Sequence, residues 1–515
     1  MKRFITFALT FTILLLWSSC RKDFEFTPST GNLQFSKDTL YLDTIFANIG
    51  SSTYNLKVYN NSSEDISIPN VSLENGATSG YRLNVDGQAG KSFTNVEILA
   101  KDSLFIFVET TFDENEIPIP ANEFLYTDRI LFDSGTLQQK VDLVTLIKDA
   151  VLIFPDRDAN NIVETLTIDL NGETLETDIQ GRELEASELT FTNQKPYVIY
   201  GYAAVPNGQT LTIDAGARIH FHANSGILVN ENATLNVNGA YSPDQDTLEN
   251  EVIFESDRLE PIYENVPGQW GTIWLSENSI NNTIEYATIK NATIGVLSDE
   301  NPNPTTDKLT ITNTQIYNSS TFGILGRRTS ITANNLVINN SGQASFAATF
   351  GGKYNVTHST IANYWSNSFR QFPALLINNY RETATTTEIT DLIEANFSNC
   401  IIYGNDDTEF LLDEFEDLAV VFNFKFTNCL TRFPVNNPNF SGANYTYTDN
   451  TKYDGVIFNQ DPQFMDASNN QLIISNTSPA VNQGNTTIAT QFPTDILTNN
   501  RTTSPDLGAY QNDTF

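Results

Sequence analysis

Apolar and polar residues alternate along most of the chain, and the spacing of a helix face is nearly absent. From about Leu33 to Lys148 the alternation comes in short runs: Leu40-Tyr41-Leu42, Tyr54-Asn55-Leu56-Lys57-Val58-Tyr59, Leu104-Phe105-Ile106-Phe107-Val108 and Arg129-Ile130-Leu131-Phe132. Turn clusters such as Asn60-Asn61-Ser62-Ser63 separate them, so the pattern predicts a β-sandwich. Past Val205 the composition shifts to Asn, Thr and Ile, and another pattern takes over. A phrase of the form small-x-aliphatic-x-Asn recurs as Ala287-Thr288-Ile289-Lys290-Asn291, Thr314-Gln315-Ile316-Tyr317-Asn318, Asn335-Leu336-Val337-Ile338-Asn339 and Ser359-Thr360-Ile361-Ala362-Asn363. A fifth copy, Cys400-Ile401-Ile402-Tyr403-Gly404, carries Gly for Asn. The central positions 289, 316, 337, 361 and 402 lie 27, 21, 24 and 41 residues apart, and the last gap reads as one insertion-bearing turn or a double turn.

Rung-sized spacing of short strands predicts a coil of stacked strands. With Ile289, Ile316, Val337, Ile361 and Ile402 inside, alternation also sends Ala287, Thr314, Asn335, Ser359 and Cys400 inward. Asn291, Asn318, Asn339 and Asn363 then fall at one corner, and Tyr286, Asn313, Asn334, His358, Asn399 and Asn428 at another. Asn tolerates left-handed backbone, and its amide can bond the same residue one rung away. Cys400 and Cys429 stack in this register, where adjacent strands offer poor disulfide geometry, so buried free thiols are expected. Crossovers between parallel strands are right-handed.

Further residues carry a family resemblance. Leu211-Thr212-Ile213-Asp214-Ala215-Gly216-Ala217-Arg218-Ile219-His220-Phe221, Gln269-Trp270-Gly271-Thr272-Ile273-Trp274, and Ser478-Pro479-Ala480-Val481-Asn482-Gln483-Gly484 with Pro505-Asp506-Leu507-Gly508-Ala509-Tyr510 resemble segments of right-handed parallel β-helices of the pectate-lyase-like architecture. The segment around Ala47-Asn48-Ile49-Gly50 is similar to the immunoglobulin-like modules that precede repeat domains in bacterial surface lipoproteins. The expected fold is therefore all-β: an immunoglobulin-like β-sandwich over 33–148, a linker and N-terminal cap over 149–205, and a right-handed parallel β-helix with a C-terminal cap over 206–515. That architecture hosts lyases, hydrolases, epimerases and non-enzymatic adhesins alike.

Residues 1–19 have the charged, apolar and small-residue order of a secretory signal. Leu16-Trp17-Ser18-Ser19-Cys20 resembles a bacterial lipobox, which implies cleavage before Cys20, acylation of its thiol and an acylated tether over 20–32. Arg21-Lys22-Asp23-Phe24-Glu25 is similar to tags that send lipoproteins to the cell surface. The expected partner is thus a lipid bilayer held through acylated Cys20, with the protein facing outward from the outer membrane. A formal net charge of -34, from 28 Lys+Arg against 62 Asp+Glu, disfavours nucleic acid as a partner.

In the enzymes of this architecture, catalytic groups project outward from the sheet that carries the repeat. The register reads that face as Thr288, Lys290, Gln315, Tyr317, Leu336, Ile338, Thr360, Ala362, Ile401 and Tyr403, of which only Lys290 is charged. Lys290 and Tyr317 on neighbouring rungs are the candidate catalytic pair. The apolar stretch above them requires a cover, for which the insertion between Asn363 and Asn399 or the sandwich is expected. Trp270, Trp274, Tyr317, Tyr364, Trp365 and Tyr403 are candidate sugar-stacking aromatics. His220 and His222 share one side of a strand at a spacing that suits a metal or a plain sheet surface. Asp406, Asp407 and Glu409 could supply calcium oxygens, and no other cofactor is expected. Three functions stay open: a non-enzymatic envelope scaffold binding glycan or a partner protein, a polysaccharide lyase or glycoside hydrolase, and a purely structural surface protein.

Overall fold

The structure, a computed structural model, describes residues 25–113, 122–133, 135–170, 173–301, 306–417 and 419–515. Cys20 and the signal-like segment lie outside the described residues. The chain is all-β and forms two compact units, Met1–Asp149 and Ala150–Phe515.

The first unit is the immunoglobulin-like β-sandwich. One sheet orders Thr27–Pro28, Ile66–Leu73, Glu123–Phe132, Gln139–Lys148 and Thr39–Phe46, with Ser92–Ile98 paired to Ile66–Leu73. The other orders Gln34–Phe35, Tyr54–Tyr59, Ser103–Thr110, Tyr81–Val85 and Gln88–Gly90. Alternate residues of both sheets, among them Leu56, Val58, Ile106, Val108, Ile130 and Leu143, are fully buried in one core.

The second unit is the right-handed parallel β-helix. Its first face runs from Val151–Ile153, paired in register with Tyr197–Ile199, up to Leu430–Thr431 and Ile457–Phe458. Strand stacking therefore reaches back through the stretch read from sequence as linker and cap. Inside the coil Ile289, Ile316, Ile338, Ile361 and Ile402 form one column, with Ala287, Leu336 and Cys400 in the same core. Ile361 pairs directly with Ile402, so the long gap is a single turn bearing an insertion, which includes the hairpin Tyr380–Glu382 with Thr387–Ile389.

The register differs from the sequence reading at one rung. Leu336, Val337 and Ile338 are all aliphatic and Asn occupies 334, 335, 339 and 340, so two alignments of the phrase exist. The structure turns Leu336 and Ile338 inward and Val337 outward. Asn335, not Asn334, takes the left-handed corner at φ 51° and donates to Asn313 Oδ1 at 2.7 Å. Asn340, not Asn339, stacks on Asn318 at 3.1 Å. This choice gives Leu336 and Ile338 the coil interior and gives Val337 a second apolar surface to pack on.

That surface is the chain's own C-terminal segment, where sequence led to the insertion as cover. Leu472, Ile496, Ala509 and Tyr510 pack on Val337 and Ala362, while Ile474, Ala480 and Leu507 pack on Ile401, Tyr403 and Leu430. The approach is close enough to demand glycine: at Gly508 φ is 91°, and a Cβ would lie 2.7 Å from Thr360 Oγ1. Arg501, buried in the same segment, donates to Thr494 O at 2.8 Å and to Asn335 Oδ1. Cys400 and Cys429 are buried free thiols. Burial pushes the Cys400 thiol well above its usual range.

Candidate functional site

The C-terminal cover contacts the first face from Tyr317 upward. Below it the outward positions change character. Register places Tyr317 over Lys290, and His220 beside Glu255, on consecutive rungs about 4.8 Å apart. Lys290 Nζ lies 2.8 Å from Glu255 Oε2, and His220 Nδ1 lies 3.6 Å from Glu255 Oε1 and 3.2 Å from Ser256 O. Glu255 is thus held between bases on the rungs above and below it. Burial pushes its carboxyl up, but His220, Lys290 and Arg218 outweigh that and hold it below the usual carboxylate range.

Two residues further along the same strands the arrangement repeats in another form. His222 Nδ1 lies 2.8 Å from Asp257 Oδ2, and the Tyr200 ring stacks on the imidazole at 4.2 Å with an interplanar angle of 18°. Burial and then Asp257 push the Tyr200 phenol up to about 12. Asp257 keeps 8% of its side chain exposed and His222 46%, so a buried carboxylate orients an accessible imidazole.

At the opposite end of the strand Val252–Ser256, buried Glu251 accepts from Thr288 Oγ1 at 2.8 Å. Burial raises its carboxyl, against the hydrogen bonds of Thr288 and Gln315. Arg218 caps this end of the strand, donating to Glu251 O and Leu248 O at 2.7 Å each. One rung therefore carries two carboxyls pushed in opposite directions, Glu251 toward the acid and Glu255 toward the carboxylate, beside an Asp-oriented histidine. Four residues of extended strand, about 13 Å, separate the two carboxyls, so they do not act on one bond together.

The residues singled out from sequence fare unevenly. Lys290 and Tyr317 are register neighbours, yet they do not act together: Lys290 turns to Glu255, while Tyr317 donates to Gln315 Oε1 at 2.7 Å. Burial against the C-terminal segment raises the Tyr317 phenol far above its usual value, which makes it a poor base. Most of the sugar-stacking candidates are not free platforms. Trp270 is inside the coil, stacked on Phe221 at 4.3 Å, with its indole donating to Lys290 O at 2.9 Å. Trp274 is half-buried and donates to Asp299 Oδ2 at 2.6 Å. Tyr403 is buried and Tyr364 half-buried under the C-terminal cover. Trp365 is half-buried and donates to Ser368 Oγ at 3.0 Å.

The acidic cluster is likewise spent on arginines. Glu409, fully buried, takes both Arg370 amino groups at 2.8 Å, Asp406 also meets Arg370 at 2.8 Å, and Asp407 meets Arg432 at 2.7 Å. Among the described residues no group of three or more His, Cys, Asp or Glu side chains is arranged to hold a metal ion.

Sequence reasoning missed Tyr200, Arg218, Glu251, Glu255 and Asp257. Their signal was faint but present: Glu255-Ser256-Asp257 alternates as His220-Phe221-His222 does, and Phe254 pairs with Ile289, one rung below the first recognised phrase.

No protein-family model and no curated protein matches the chain. Among solved structures it is similar to a family 123 glycoside hydrolase from Clostridium perfringens, at 10% identity over 24% of this chain and 30% of that chain, with a TM-score of 0.17. It is similar to the periplasmic chaperone SfaE at 14% identity over 29% of this chain and 85% of that chain, with a TM-score of 0.14. It is also similar to the catalytic unit of the thermostable GH87 alpha-1,3-glucanase from Streptomyces thermodiastaticus strain HF3-3, at 10% identity over 73% of this chain and 74% of that chain, with a TM-score of 0.28. The chain thus spans less than a third of the length of the first of these proteins, and likeness this slight carries no activity over to it.

Proposed function

We propose that the protein is a cell-envelope lipoprotein, acylated at Cys20 and facing outward from the outer membrane, whose β-helix binds a polysaccharide on the lower rungs of its first face, below the C-terminal segment. One observation carries this reading. The C-terminal segment covers the apolar upper rungs, and below it Lys290, Glu255 and His222 keep 27%, 22% and 46% of their side chains exposed, with His220 and Asp257 buried beside them. Half-buried charges of this kind lose hydration, and a surface with no ligand gains nothing by assembling them. Fixed donors and acceptors at rung spacing match the hydroxyls and carboxylates of successive sugar units.

A second reading, cleavage of the bound chain by hydrolysis or elimination, is favoured by the accessible imidazole of His222 that Asp257 orients. Incubation of the full chain with a panel of neutral and acidic polysaccharides, following glycan depletion and new unsaturated or reducing ends, separates the readings. Retention without new ends, lost in Glu255→Gln and His222→Gln, supports binding alone. New ends that vanish in those variants support cleavage. Neither retention nor new ends across the panel leaves only a structural role and refutes the proposal. Labelling with palmitate that Cys20→Ser abolishes checks the anchor.

A further inference from the structure

The β-helix corner at His358 holds two buried donors without an acceptor among the described residues. Asn399 fixes which imidazole nitrogen carries the proton. Its Oδ1 accepts from Asn485 N at 2.7 Å and its Nδ2 donates to Asn485 O at 3.2 Å, so the amide cannot be turned over, and Nδ2 also lies 2.9 Å from His358 Nε2. His358 Nε2 therefore accepts, which makes Nδ1–H the first of the two donors. The second is Nε–H of Arg501. His358 has no exposed surface and Arg501 keeps 1%, so solvent reaches neither.

The two side chains meet at one rung. Thr357 pairs with Asn334 on the rung below and with Ser398 on the rung above, which sets His358 between Asn335 and Asn399. Arg501 Nη2 donates to Asn335 Oδ1, and Nη1 donates at 3.4 Å to the carbonyl of Gly508, whose N–H donates to Asn399 O at 2.8 Å. The guanidinium thus spans the rungs on either side of the imidazole, and its charge acts on the ring.

Charge decides what accepts from the two donors. The acceptors that Arg501 has, Asn335 Oδ1, Thr494 O and Gly508 O, are all neutral. The acids whose charge reaches it are held by backbone amides: Asp495 accepts from Leu497 N, Asn499 N and Gln511 N at 2.7–2.9 Å, and Asp506 from Asn482 N and Asn512 N at 2.7 and 2.8 Å. A buried guanidinium without a counter-charge is strongly destabilising. Water accepting from both donors leaves that charge uncompensated, whereas an anion satisfies the donors and compensates it. A corner closed to solvent favours a single atom over an oxyanion.

We infer that this corner binds a chloride ion, which accepts from His358 Nδ1 and Arg501 Nε and fastens the C-terminal segment to the β-helix. The imidazole takes part as a neutral donor, since burial keeps it uncharged. Thermal unfolding of the full chain at pH 7, with sodium chloride exchanged for sodium gluconate at constant ionic strength, tests it. The midpoint should be about 2 °C higher in about 0.2 M chloride than in gluconate. His358→Asn, which removes the ring donor, and Arg501→Gln, which removes the charge, should each abolish most of that difference; the His358 variant stands as evidence should the Arg501 variant not fold. Crystals of the full chain grown in sodium bromide should show an anomalous peak within hydrogen-bond reach of both nitrogens. Equal midpoints in the two salts, a difference that either folded variant keeps, or a bromide crystal with water only at this corner would each overturn the inference.

Discussion

Replacing His358 by Asn should remove an acid sensitivity that the wild-type protein carries. His358 sits at the corner otherwise occupied by Asn313, Asn335, Asn399 and Asn428, with a left-handed φ of 44° and no exposed surface. Asn399 Nδ2 lies 2.9 Å from His358 Nε2, which therefore accepts and leaves the ring proton on Nδ1, an atom with no hydrogen-bond partner. Burial, with the charge of Arg501 added, lowers the imidazole from 6.5 to about 2. The folded chain then keeps His358 neutral where the unfolded chain protonates it. Stability from this group is complete above pH 6.5 and falls as pH drops toward the folded value. Between pH 7 and pH 5 the loss is about 2 kcal/mol, since the unfolded state alone takes up the proton over that interval. Asn at 358 suits the same corner and does not titrate. Denaturant unfolding of both proteins at pH 7, 6 and 5 reads the effect as a difference of differences. Parallel pH profiles for wild type and His358→Asn would refute the reasoning.

Other side chains give equally definite expectations. Glu409→Ala leaves Arg370 with Asp406 as its remaining acid and should cost about 3–5 kcal/mol, the range for breaking a buried pair. Added calcium should not raise the unfolding midpoint of the wild-type protein, whereas a rise would restore the acidic cluster as a metal site. Asn335→Ala should destabilise by about 2 kcal/mol through its lost hydrogen bonds and left-handed backbone, and Asn334→Ala by under about 0.5 kcal/mol; the reverse order would refute the register at this rung. Cys400 and Cys429 should stay inert to a thiol reagent in the folded protein and react once it is unfolded in denaturant; fast labelling of the native protein would contradict their burial.

The sequence was most readable where one physical requirement acts alone. Column positions such as Ile289 and Ile402 must be branched and apolar, and the corner at His358 and Asn399 must accept positive φ, so both stand out against a polar background. Legibility failed where two requirements overlap. Val337 is apolar because it packs under the C-terminal segment, and that second burial makes Leu336-Val337-Ile338 uniform and hides the alternation that sets register. The same cause misled the reading of Tyr317 and Tyr403, which look like exposed aromatics on an outer face until the cover is known. Apart from Lys290, the site lay in rungs whose phrases had lost the terminal Asn. Glu255 and Asp257 are ordinary acids in a chain with 62 of them, and only pairing in register with His220 and Lys290 distinguishes them.

The scarcity of histidine allows the most direct test of where the ligand sits. Of the three, His222 is accessible with His220 buried beside it on the same strand, and His358 is sealed in the corner near Arg501. Imidazole resonances of the full chain, followed while titrating in a polysaccharide that the protein retains, report all three positions at once. The account predicts that His220 and His222 shift on binding while His358 stays fixed. Binding that leaves His220 and His222 unmoved would contradict it.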